Sequence, residues 1–198
     1  MSLRTEIFHA LYGAWRLLIL DRGGMNWFNL SVTGFWRSFL AGVIVAPAYF
    51  ATINMGGPVD AAPDGLMMTR ALQYLAGWIA FPLIMIVVAS LIEWTDRYVS
   101  YVIAYNWSSV IMIAVMLPMS LIADAVRPAP PSVTLADAFY YIAFMFSLFY
   151  GWFVAHTALR IGSFTAIAIV LLDLIVGFMI GAGGTALLQN TGSNALPV

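Results

Sequence analysis

The chain has 198 residues, of which 63% are hydrophobic and only 9% charged. A soluble domain devotes about a quarter of its residues to charge, because polar surface has to cover the core, so lipid must do the covering here. A net charge of −1 offers no basic field for nucleic acid, and the lack of cysteine excludes disulfides, thiolate catalysis, Fe–S clusters and cysteine-based zinc sites.

The basic residues are all arginine, a bias that a GC-rich bacterial genome would give. A bis-histidine haem would need both His9 and His156, which lie in very different settings. The first apolar run, Leu17 to Leu20, is shorter than the core of a secretory signal and no small-residue cleavage site comes after it, so the expectation is a protein inserted whole.

Residues 3–20 have helical period but do not read as a span. At 100° per residue Leu3, Ile7, Phe8, Leu11, Ala14, Trp15, Leu18 and Ile19 fall on one side. Thr5, Glu6, His9, Gly13 and Arg16 fall on the other. That pattern suits a helix lying in the membrane surface, or one packed flat on the ends of the spans. Arg22-Gly23-Gly24 is expected to end it, since glycine takes the positive φ of a helix C-terminus. Trp27, Phe28 and Trp36 are placed at headgroup depth, with Ser31 as the N-cap of the next helix.

Five spans are expected, over residues 35–54, 69–92, 98–122, 136–159 and 164–188, with Pro47, Pro82 and Pro118 inside the first three. The fourth opens on a capping-box pattern, Thr134-Leu135-Ala136-Asp137, and the fifth at Ser163. Short links at 93–97 and 160–163 force antiparallel neighbours, pairing spans 2 with 3 and 4 with 5. The sequence shows no internal repeat of the kind that builds many transporters. The expected class is all-α and polytopic: an interfacial segment over 1–30, a five-helix transmembrane domain over 31–190 and a short external tail over 191–198.

Orientation comes from the arginines. With the N-terminus inside, Arg4, Arg16, Arg22, Arg37, Arg97 and Arg160 are cytoplasmic and only Arg70 and Arg127 external. Asp60, Asp64, Asp124 and Asp137 then fall outside. The positive-inside rule gives an N-in, C-out protein of a bacterial inner membrane.

Few residues are placed to carry chemistry. Asp173 lies about ten residues into span 5, ~15 Å deep. A carboxylate there costs several kcal/mol unless protonated or partnered. Asn106 reaches a similar depth on span 3 and is the expected partner, with Ser108 and Ser109 close behind. The pair reads either as a hydrogen bond holding helices together or as an ion or proton site. His156 and Arg160 are one turn apart at the cytoplasmic end of span 4, an interfacial contact. The rings of span 4 surround their helix, whereas Tyr98, Tyr101 and Tyr105 share a face of span 3 and read as an aromatic seam. Gly177 and Gly181 make a small-xxx-small step, for packing within the bundle or against a second copy. No Ser-His-Asp set, carboxylate pair, HExxH or phosphate loop is evident, so the expectation is a non-enzymatic protein with no cofactor.

The layout resembles the Yip family of five-span proteins and its bacterial relatives. The resemblance rests on the amphipathic segment ahead of span 1 and the tight span 2–3 turn. It rests also on the span 4–5 junction from Trp152 through His156 and Arg160 to Ser163, with its small polar turn. It covers about residues 25–188 as a pattern, and the long cytoplasmic domain of the eukaryotic members is missing. It implies a small non-catalytic membrane protein that acts through protein or lipid partners. The expected function is a scaffold or accessory subunit, working through membrane lipid, other membrane proteins or a homo-oligomer; the alternatives are a transporter or channel component, from Asp173 and the proline-broken spans 1 to 3, and an accessory subunit of a respiratory or photosynthetic complex, from small size and aromatic density.

Overall fold

The structure is a computed structural model that describes residues 1–54, 65–125 and 135–193. The charges assigned to Asp60, Asp64 and Arg127, the Thr134 cap, the side chain of Asp124 and residues 194–198 lie outside the described part.

Among the described residues every element of secondary structure is a helix. Helix α1 (Leu3–Leu18) is capped by Ser2, whose hydroxyl accepts from the Thr5 amide at 3.3 Å. A 3-10 segment (Arg22–Trp27) leads to α2 (Val32–Ser38), where Ser31 Oγ accepts from the Gly34 amide at 3.1 Å as the expected N-cap. Then come α3 (Leu40–Asn54), α4 (Leu66–Leu91), α5 (Thr95–Ala125), α6 (Leu135–Leu159) and α7 (Ser163–Ser193). Five stretches are long and apolar enough to cross a membrane: Val32–Ala51, Leu66–Leu91, Thr95–Ile122, Asp137–Leu159 and Ser163–Gln189. With 16 residues, ~24 Å, α1 is not among them.

The first span consists of α2 and α3, and the break between them falls at Phe39, about two turns ahead of Pro47. Ser38 Oγ donates to the Phe35 carbonyl at 2.7 Å, competing for an acceptor of the helix itself. The Gly42 amide then turns back to Phe39 over a 3-10 spacing at 3.0 Å.

Helix α5 is the hub, touching α1, α2, α3, α4 and α6. Helix α7 packs on α4 and α6, so α4, α5, α6 and α7 close a ring with α5 and α7 on its diagonal. The expected antiparallel neighbours, α4 with α5 and α6 with α7, are in contact.

Three helices end in one way. In α1, α4 and α6 an amide just past the helix reaches back five positions: Asp21 to Arg16, Trp94 to Ala89 and Ile161 to His156. These are Schellman closures, and each needs one residue in the left-handed region. That residue is never glycine: Leu20 has φ 63°, Glu93 φ 56° and Arg160 φ 53°. Each costs roughly 1–2 kcal/mol of steric strain, offset by the carbonyls it satisfies. Gly23 and Gly24, expected to terminate α1, do not have positive φ.

The packing of α1 also corrects the sequence reading. Its buried stripe is Glu6, Ala10, Gly13, Ala14 and Leu17, which includes two residues, Glu6 and Gly13, that the helical wheel puts on the polar face. Small residues let α1 approach α5, α6 and the 3-10 segment closely. A Cβ on Gly13 would come 2.8 Å from the Gly24 carbonyl oxygen, and one on Gly24 would meet Gly13 and Leu17. The glycine pair is therefore a crossing point of backbones. Glu6, 3% exposed, is ion-paired to Arg37 on α2 and accepts from Asn29 Nδ2 at 2.8 Å. The large apolar residues Phe8, Tyr12, Trp15 and Ile19 face outward, and Phe28, expected at headgroup depth, is in the core.

Candidate functional site

Inside the helix ring, between α5, α6 and α7, is a cavity of about 340 Å³ with Asp173 in its wall. Tyr105, Ser108 and Ser109 line it from α5, and Ser147 and Tyr150 from α6. Tyr105 Oη donates to Asp173 Oδ1 at 2.9 Å. The second carboxylate oxygen takes no hydrogen bond from the described residues, so the carboxylate keeps acceptor capacity for something else.

Of the six hydroxyls that line it, those of Tyr105, Ser108, Ser109, Ser147 and Tyr150 are already committed as donors, and only Tyr101 keeps its own proton to give. Ser109 Oγ donates to the Tyr105 carbonyl at 3.0 Å and Ser147 Oγ to the Phe144 carbonyl at 2.7 Å. Tyr150 Oη is 2.8 Å from the Ala14 carbonyl oxygen, which can only accept, and 2.9 Å from Ser108 Oγ. Both bonds form when Tyr150 donates to Ala14 and Ser108 donates to Tyr150. What these groups have left is lone pairs. A cavity with a carboxylate and spare hydroxyl lone pairs suits a ligand that brings donors or positive charge. Among the described residues no cluster of three or more His, Asp or Glu could hold a metal ion.

The cavity adjoins a second space. An apolar groove of about 370 Å³ between α6 and α7 is lined by Phe149, Trp152, Ile167 and Leu171, and Leu148, Val170 and Leu174 wall both. Phe149 and Leu171 are exposed, so the groove is on the outer surface of the bundle.

Asp173 and Asn106 are not brought together. Asn106 is fully buried, donates from Nδ2 to Ser38 Oγ at 2.9 Å and leaves Oδ1 without a partner. It ties α5 to the break in the first span. Depth matches both Asn106 and Tyr105 to Asp173; the rotation of α5, 100° per residue, selects Tyr105. Of the expected seam, the Tyr101 and Tyr105 rings pack together, with Phe81 on both at 6.3 and 4.9 Å, whereas the ring contact of Tyr98 is with Phe35 on α2. Two of its members, Tyr101 and Tyr105, also line the Asp173 cavity.

His156 and Arg160 are at the opposite end of α6 from Leu135, beside the 3-10 segment. His156 Nδ1 is 2.5 Å from the Ile161 carbonyl oxygen and must be its donor. Nε2 then accepts from Arg22 Nη2 at 3.2 Å, which fixes the tautomer. The ring stacks on Trp152 at 5.4 Å. Gly177 and Gly181 face open space, where an added Cβ would meet nothing. The close contact of α7 is at Gly184, where a Cβ would overlap the Gln73 side chain of α4. Gln73 Nε2 reaches the carbonyls of Ile180 and Gly181, each at 3.2 Å. Gln73, an amide within a span, was the sequence signal for this contact. In comparisons with known protein families, with curated proteins and with solved structures, none matches this chain.

Proposed function

We propose that the chain is a non-enzymatic membrane protein of a bacterial inner membrane that binds a small cationic or proton-donating ligand at Asp173, as a transporter or channel component. The observation that carries this reading is the acceptor-rich cavity of about 340 Å³ around a carboxylate within a span. A purely structural Asp173 would need only its bond to Tyr105. The groove between α6 and α7 offers such a ligand a lateral way in from lipid. A protonated amine or a monovalent cation fits one carboxylate with hydroxyl lone pairs better than a divalent metal does.

A scaffold role is the second reading, favoured by the open outer face of α7 at Gly177 and Gly181. The resemblance to the Yip family belongs with that reading, supported by five spans preceded by α1. The test is flux of protons, sodium, potassium and a lipophilic amine in proteoliposomes, comparing the wild type with Asp173→Asn and Asp173→Leu. Asp173→Asn, nearly isosteric, should remain folded and lose flux. Flux retained in folded Asp173→Asn, or none in the wild type, refutes the reading and leaves the scaffold.

A further inference from the structure

A second cavity, of about 590 Å³, lies at the end of the bundle formed by the α4–α5 and α6–α7 turns and the 3-10 segment. Arg22, Arg97 and Arg160 reach it from three separate segments, against a single lining carboxylate, Asp96. Asp96 is mostly exposed and only loosely paired with Arg97, at 3.6 Å. The arginines are held but not consumed. Arg97 Nη1 donates to the Leu159 carbonyl at 3.2 Å and Arg22 Nη2 to His156. A guanidinium has five N–H donors, so most remain for a ligand.

Thr157 also lines the cavity, with its Oγ1 atom buried behind the surface and without a hydrogen-bond partner. Three arginines against one exposed carboxylate leave the lining with excess positive charge, which an entering anion would balance. Planar N–H forks match phosphate oxygens in pairs. Basic pockets between membrane helices are natural sites for acidic headgroups.

We propose that this cavity binds a phosphate-bearing anion, the chemistry shared by an anionic phospholipid headgroup and a soluble phosphate monoester. The site is at the turn end of the bundle and does not depend on the role of Asp173.

The test is native mass spectrometry of the full chain in neutral detergent, with phosphatidylglycerol, phosphatidylcholine and glycerol 3-phosphate as probes. Phosphatidylglycerol should bind at least tenfold better than phosphatidylcholine if the source is lipid. Glycerol 3-phosphate should bind alone and displace it if the source is soluble. In either case Arg22→Gln and Arg160→Gln should each weaken the anion about fivefold, while Arg70→Gln, at the opposite end of the bundle, should leave it unchanged. The proposal is overturned if neither anion is preferred over phosphatidylcholine. It is equally overturned if Arg70→Gln weakens binding as much as the other two, since bulk charge would then explain the preference.

Discussion

Replacing Arg37 with Met leaves the Glu6 carboxylate, with a side chain 4% exposed, bonded only to the Asn29 amide. An uncompensated buried charge of this kind costs about 3–5 kcal/mol. The reverse change, Glu6→Met, is milder. It leaves an arginine 36% exposed, whose long stem can carry the guanidinium to water or headgroups. The remaining loss is the Asn29 hydrogen bond and the ion pair itself, about 1–2 kcal/mol. The two halves of one ion pair should therefore differ by about 2 kcal/mol. The double variant should be more stable than Arg37→Met alone, because removing Glu6 removes the stranded charge. Unfolding free energies from denaturing-detergent titration, followed by tryptophan fluorescence, give all three values. Equal losses for the two single variants would refute the reasoning, and so would a double variant no better than Arg37→Met. Either outcome would mean that Glu6 is solvated or that α1 is docked by its small residues alone.

Local geometry gives two further predictions. Gly13→Ala should cost about 1–3 kcal/mol by pushing α1 off the Gly24 carbonyl, whereas Gly177→Ala and Gly181→Ala should be neutral or slightly stabilising in the monomer, as thermal unfolding of the three variants will show. Asp21 is held below the ordinary carboxylate range by the Gly23 amide and by Arg16; its contribution is present above pH 3.8 and fades as pH falls through the lower folded value, so Asp21→Asn should remove an acid-side transition in the fluorescence of neighbouring tryptophans.

The spans were legible because lipid imposes a length and a polarity that single residues cannot hide. Asp173 was legible for the same reason, as a carboxylate whose depth is a matter of counting. Its partner was not, because sequence gives depth along a helix and leaves its rotation open. Tyr105 and Asn106 are neighbours in the chain yet point about 100° apart, to Asp173 and to Ser38. The face of α1 was misassigned for a related reason. A helical wheel sorts residues by polarity, but α1 packs by size, through Ala10, Gly13, Ala14 and Leu17 around a neutralised glutamate. The arginine cavity needed three segments at once, and only His156 and Arg160 could be paired by spacing.

The Schellman closures at Glu93 and Arg160 have a mechanical consequence. A turn fixed by its own backbone bonds, with a side chain rather than glycine at its left-handed residue, makes a poor hinge. Helices α4 and α5 then behave as one stiff hairpin, and α6 and α7 as another. The groove between α6 and α7 belongs to one hairpin and keeps its width, while the Asp173 cavity is shared between the two. It can be widened only by shearing one hairpin past the other, along the contacts of α5 with α6 and of α4 with α7. Polar latches cross that shear plane at several depths. Arg97 holds the Leu159 carbonyl at the turn end, and Gln73 holds the Ile180 and Gly181 carbonyls at the far end. Between them lie the bonds joining Ser108 to Tyr150 and Tyr105 to Asp173. Loss of the Tyr105–Asp173 bond would therefore release a latch at mid-depth and leave those at the two ends in place.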